Sequence, residues 1–358
     1  MRMGTQESAM VWEQMEMDAV VRDFDRLFPS YSFDGKAVLS DIMGGQLWEA
    51  LKKLGGGISG AVLFQKEEIR ALFFTILVLG VAAALFSNFA DLFRDHQVSD
   101  IAFYFVYLLL IAVLLKFFGE TAGAVKEILS GVVTFVKMYI PTYILAVGGA
   151  SGAFSASVYY QLLLVAVYLI EWGYLSVLVP LVYGYVLLTV INGIWMEEKL
   201  ALLLELSEKA VKGSLKVSVW LITGFSLLQS MVSPVIDSLQ SSAVKKALSA
   251  MPGIGGLTEG MFEMVLGSAV LVKNSLGIFM TFMLIALCAA PILKIAMTAC
   301  VMKLSAALVG IISDNRLTNC ASRVGEGNLM LLRIALTSLG MFMIQVAIIS
   351  YSTGQAVR

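Results

Sequence analysis

LGIFMTFMLIALCAA (Leu276–Ala290), followed at once by PILKIAMTACVMKLSAALVGII (Pro291–Ile312), decides what kind of chain this is. Only two charges, Lys294 and Lys303, interrupt these runs. A membrane-crossing helix needs roughly 20 consecutive apolar residues, whereas a helix on a water-soluble core keeps a polar stripe. Neither run leaves room for such a stripe, so both read as helices in lipid. Composition agrees: of 358 residues, 59% are hydrophobic and 14% charged, with a mean hydropathy of +0.85. Soluble domains carry about 25% charged residues. The net charge of −1 gives no footprint for nucleic acid.

Working outward, similar apolar runs span Ala71–Phe93, Ile101–Phe118, Phe154–Ile170, Tyr174–Ile194, Leu215–Met231 and Leu329–Ser350. An amphipathic stretch, 119–137, continues apolar past Pro141 to Val147. The expected fold is therefore an all-α, polytopic membrane bundle with about eight or nine spanning or re-entrant helices. Residues 1–70 are mixed in charge and read as a small extramembrane region; 71–118 form a transmembrane hairpin, and 119–235 and 236–358 two membrane units. The charged piece WMEEKLALLLELSEKAVKGSLK (195–216) carries a leucine stripe and reads as an interfacial amphipathic helix.

The two membrane units look like copies. Glu127–Lys137 (EILSGVVTFVK) and Glu263–Lys273 (EMVLGSAVLVK) share a glutamate, a glycine and a lysine at the same spacing, 136 residues apart. Gly193–Leu200 matches Gly310–Leu317 at an offset of 117, and the match carries on to Lys216 against Arg333. An internal repeat is a frequent transporter design. Chance likeness between apolar helices is the competing reading.

Charge inside apolar sequence costs several kcal/mol in lipid unless it snorkels, pairs or faces water. Glu263 and Lys273 lie ten residues apart, about 15 Å along a helix, too far to pair with each other. If the copies meet, Glu127, Lys137, Glu263 and Lys273 form one polar seam, with Lys294 as a further contact to a pore or partner; polar glue between helices is the plainer alternative. Lys116 and Glu171, near run ends, read as snorkelling residues. Pro141, Gly148 and Gly149, and in the second copy Pro252, Gly253, Gly255 and Gly256, read as hinges.

The chemistry of an enzyme is not in evidence. The one histidine, His96, sits in the polar loop RDHQVSD, and Cys288, Cys300 and Cys320 are scattered without a C-x-x-C pair. No G-x-x-x-x-G-K-[ST], H-E-x-x-H or G-x-S-x-G occurs. No catalytic residue, cofactor or metal is expected. The runner-up class is an autonomous secondary transporter of a small solute.

YIPTYILAVGGASGAFSAS (139–157), PVIDSL (234–239), AMPGIGG (250–256), EMVLGSAVLVKN (263–274) and APILKI (290–295), in that order, resemble the stage III sporulation protein AE family of endospore-forming bacteria. The resemblance covers roughly residues 70 to 358. It implies a membrane protein of the mother-cell membrane around the forespore. It further implies membership of a secretion-like conduit between the two cells, with other membrane subunits as partners and a separate ATPase as the energy source. It carries over no catalytic residue. Topology is read two ways: Lys52, Lys53, Lys66 and Arg70 against Arg94 place the N-terminus in the cytoplasm, whereas the resemblance implies an export signal, not visible here, and an extracytoplasmic N-terminal piece.

Overall fold

The computed structural model describes residues 35–63, 66–92, 96–151, 154–194, 200–249, 257–311 and 315–355. In chain order the helices are α1 (Gly35–Met43), α2 (Leu47–Leu63), α3 (Lys66–Leu92), α4 (His96–Ser151), α5 (Phe154–Gly173), a π-helical turn (Tyr174–Leu178), α6 (Val179–Ile194), α7 (Ala201–Ser249), α8 (Leu257–Val309) and α9 (Asn315–Gln355). There is no strand among the described residues.

The centre of the molecule is the α8–α9 hairpin, the most extensive packing of any two helices. Its buried positions recur at helical spacing: Phe279, Met283, Leu287, Ile295, Met302 and Ala306 on α8, and Leu317, Val324, Leu331, Ile334, Met341 and Phe342 on α9. α8 also packs against α1 to α4, and α9 against α4 to α7, so α4 is the one helix that touches both sides extensively. Two glycines set close approaches. A Cβ at Gly80 on α3 would meet Val309 Cγ2 at 2.4 Å, and one at Gly327 on α9 would meet Val186 Cγ2 on α6 at 2.6 Å. Small residues of this kind let helix backbones draw together where lipid removes the hydrophobic drive for association.

Where the sequence reading counts eight or nine crossings, five stretches among the described residues are long and apolar enough: Glu67–Leu85, Tyr104–Phe135, Val165–Gly193, Ser275–Val309 and Arg316–Gln345. The difference is largely continuity. Runs read as separate at Gly119, at Glu171 and at Pro291 are single rods, since neither a charge nor one proline ends a helix whose neighbours hold it. Pro291 lies inside α8. Next to Pro180, which has no N–H to give, the backbone takes a π turn in which Val179 N–H donates to Tyr174 O, five residues back. The amphipathic 195–216 piece likewise runs, from Ala201, into the 49-residue α7 instead of forming a separate interfacial helix.

The surface is apolar and the interior partly polar. Phe74, Val78, Phe105, Leu108, Leu109 and Leu169 are exposed, while Thr121, Glu171, Thr189, Asn192, Ser218, Thr298, Ser305, Asn328, Ser338 and Gln345 are buried. That distribution suits a lipid surround, in which polar groups are sheltered between helices.

Candidate functional site

Most buried hydroxyls settle locally. Thr121, Thr189, Ser218 and Thr298 each donate to the carbonyl four residues earlier, at 2.8 to 2.9 Å. Such bonds satisfy the hydroxyl without a tertiary partner. The interesting polar groups are those with another arrangement.

The first is a charged network across the central hairpin. Lys303 Nζ on α8 lies 2.5 Å from Glu326 Oε2 on α9, and Arg333 Nη2, two turns further along α9, lies 3.3 Å from Glu326 Oε1. One carboxylate thus serves two cations, one per oxygen. Lys212 on α7, itself bonded to Glu208 one turn away, adds a third positive charge within electrostatic reach of Glu326. Gly325 makes the geometry possible, since a Cβ there would press to 3.0 Å on Lys303 Cγ. Beside the network Asn328 donates Nδ2 to Met302 Sδ at 2.9 Å, whereas its Oδ1, Ser305 Oγ and Arg333 Nη1 are buried without a partner.

The second joins the N-terminal elements to the hairpin. Lys294 Nζ on α8 donates to Glu68 Oε2 on α3 at 2.9 Å, beside a cleft lined also by Leu72, Phe117, Glu120, Thr121 and Thr298. Lys294 is half-buried, and its contact is a carboxylate of its own chain.

The third is Glu171. Its whole side chain is buried, and among the described residues no N–H or cation bonds either carboxyl oxygen. This corrects the snorkelling expectation. Residue 171 does not sit at the end of a helix, because α5 continues through the π turn into α6 and carries the side chain against α9. Lys116, by contrast, is exposed, its ammonium 5.7 Å from the Phe117 ring centroid.

Of the proposed seam, Glu127 and Lys137 are both exposed on α4. The Lys137 ammonium lies 4.5 Å from the Tyr168 ring centroid on α5, a cation–π contact. Glu263 and Lys273 belong to α8, which packs on α4, but their side chains are outside the described residues. Among the hinges, α4 is helical through Pro141, Gly148 and Gly149 and ends at Ser151; Pro252, Gly253, Gly255 and Gly256 lie outside the described residues. Sequence marks Lys303 as a charge in an apolar run and Arg333 in the repeat match, but does not join either to Glu326. Lys303–Glu326 crosses the hairpin and Glu326–Arg333 spans seven residues of α9, so neither has the three- or four-residue spacing of helix neighbours.

On the exposed flank of α7, Lys209 Nζ lies 2.7 Å from Glu205 Oε1. That hydrogen bond and charge hold the Glu205 carboxyl below its usual 4.5, and in turn raise the Lys209 ammonium above its usual 10.5. The glutamate's contribution is present above pH 4.5 and is lost as pH falls through its lowered value. The lysine's is present below 10.5 and is lost as pH rises through its raised value. Because both side chains are solvated, Lys209→Gln is expected to leave the unfolding temperature of the purified protein unchanged at neutral pH. A clear drop would show that this face is covered.

Residues 33–353 match the family described as Stage III sporulation protein AE. A curated relative of that name from Bacillus subtilis (strain 168) is 23% identical over 278 residues, covering 77% of this chain and 70% of the relative. No solved structure matches. The matched family covers all the helices that build the charged network and surround Glu171, and this chain belongs to the stage III sporulation protein AE family.

Proposed function

We propose that this sporulation-associated membrane protein is a non-enzymatic subunit of a secretion-like channel assembly that links mother cell and forespore. It resides in the mother-cell membrane around the forespore, alongside other membrane subunits and a separate ATPase. The observation that supports this reading best is family membership over nearly the whole chain. Helices α6–α7 and α8–α9 are two successive helix pairs, with Gly193 in the last turn of α6 and Gly310 just past the end of α8. This arrangement is compatible with the part of the internal repeat that matches Gly193 to Gly310; the other match sets Glu127 and Lys137 of α4 against Glu263 and Lys273 of α8, and a permease-like path would run where these two helices pack.

The test is replacement of the resident gene in a sporulating cell by variants carrying Glu263→Gln with Lys273→Gln. If these residues line a path, the assembly is recruited normally and forespore development fails. If the chain is a scaffold, recruitment of the other subunits fails instead. Solute uptake by the purified protein alone in liposomes would overturn the subunit reading in favour of an autonomous transporter.

A further inference from the structure

Among the described residues, no counter-charge is bonded to Glu171. Around it, α9 presents the buried Ser338 hydroxyl, close enough to act as the carboxyl's hydrogen-bonding neighbour and otherwise unpartnered. α8 presents the Cys288 thiol within electrostatic reach. The phenol of Tyr174, three residues along, donates to Met341 Sδ at 3.9 Å and also has Ser218 of α7 beside it. Lys137 on α4 lies over Tyr168, and Arg333, five residues before Ser338, has one nitrogen on Glu326; neither is bonded to Glu171. The backbone nearby is short of donors too. Pro291 has no N–H to give Leu287 O, one residue from Cys288, and the π turn begins three residues after Glu171.

A buried carboxylate left alone among helices is too costly to persist. Something positive must accompany it, and the placed neighbours, the Ser338 hydroxyl and the Cys288 thiol, bring no positive charge. We propose that Glu171 is a monovalent-cation site inside the bundle, taking a proton or a sodium ion, with the Ser338 hydroxyl as its second oxygen. Both occupants share one chemistry, neutralisation of the carboxylate. Loading the site removes a charge from the meeting point of α5, α8 and α9. The packing of the membrane helices then follows the ionic conditions of the compartment that reaches the site. This inference stands on the buried carboxylate alone and does not need the channel reading.

The full chain, purified in detergent, is treated with the apolar reagent dicyclohexylcarbodiimide, which adds to a protonated carboxyl in a dry setting, and modification of Glu171 is read by peptide mass spectrometry. With a proton as occupant, modification falls about tenfold per pH unit above its half-point, and sodium has no effect. With sodium as occupant, sodium chloride suppresses modification and choline chloride does not. No modification of Glu171 at any pH in choline chloride overturns the proposal, as does modification indifferent to both pH and sodium. As a second arm, the unfolding temperature is followed against pH and sodium in wild type and Glu171→Gln. The proposal expects a response in wild type that the variant lacks. An equal response in both assigns it to other groups and overturns the proposal. Should the glutamine variant not fold, the reagent arm on the wild type alone decides.

Discussion

Glu326→Lys is expected to destabilise the protein by about 3 kcal/mol, the low end of the 3–5 kcal/mol lost when one partner of a buried ion pair is removed. The low end applies because the Lys303 and Arg333 side chains are 40% and 39% exposed, so water softens the penalty, while Glu326 at 18% is the sheltered member. The substitution does more than delete a bond. It puts a third cation between Lys303 and Arg333, with Lys212 close by. Glu326→Gln keeps the shape and should cost less than the lysine. The double variant Glu326→Lys with Lys303→Glu restores the sign of the shorter contact and should recover part of the loss, though Arg333 remains opposed. Thermal unfolding of the four proteins in detergent measures this. A Glu326→Lys variant as stable as wild type would show that the network is loosely solvated and holds nothing.

Gly193→Ala is expected to have an effect of similar size from a single methyl group. A Cβ at this position would lie 2.0 Å from the Tyr107 hydroxyl oxygen and 3.1 Å from Cζ. Tyr107 is 1% exposed, and its hydroxyl donates to Val190 O on α6 at 3.0 Å, so the ring has no free direction in which to yield. Overpacking of this sort typically costs 1–3 kcal/mol, and the fixed ring argues for about 3. The diagnostic is the double variant. Tyr107→Phe alone gives up the buried hydrogen bond to Val190 O and the contact with the Cys320 thiol, about 1–2 kcal/mol together. Added to Gly193→Ala, it removes the atom at 2.0 Å and leaves a contact at 3.1 Å, so the pair should be more stable than Gly193→Ala alone. If Tyr107→Phe worsens Gly193→Ala by the amount it costs on its own, the clash is not the cause.

The membrane class and the helices themselves were legible in the sequence because length and apolarity are local properties. The apolar run 276–312 needs no partner to be recognised. What failed was punctuation. Glu171 and Pro291 look like boundaries, since in isolation a charge or a proline interrupts an apolar helix. In the structure each sits inside a continuous rod whose neighbours absorb the exception. The candidate sites were legible only in part for the same reason. Lys294 stood out as a cation in a greasy run, but its carboxylate, Glu68, lies 226 residues away. Glu326 looks like an ordinary loop-edge glutamate in SRVGEGN until the hairpin closes and sets it against Lys303. Depth in the bundle, which separates the buried Glu171 from the exposed Glu127, is a property of the assembled helices and has no counterpart in one-dimensional spacing.

One consequence follows from the length of α4. At 1.5 Å per residue its 56 residues measure about 84 Å, against a bilayer hydrocarbon layer of about 30 Å. A rod that long is a lever with its fulcrum where the other helices grip it. Tilting such a rod by about 10° carries a tip about 50 Å away through about 9 Å, enough to turn a small rearrangement among packed side chains into a displacement another molecule can feel.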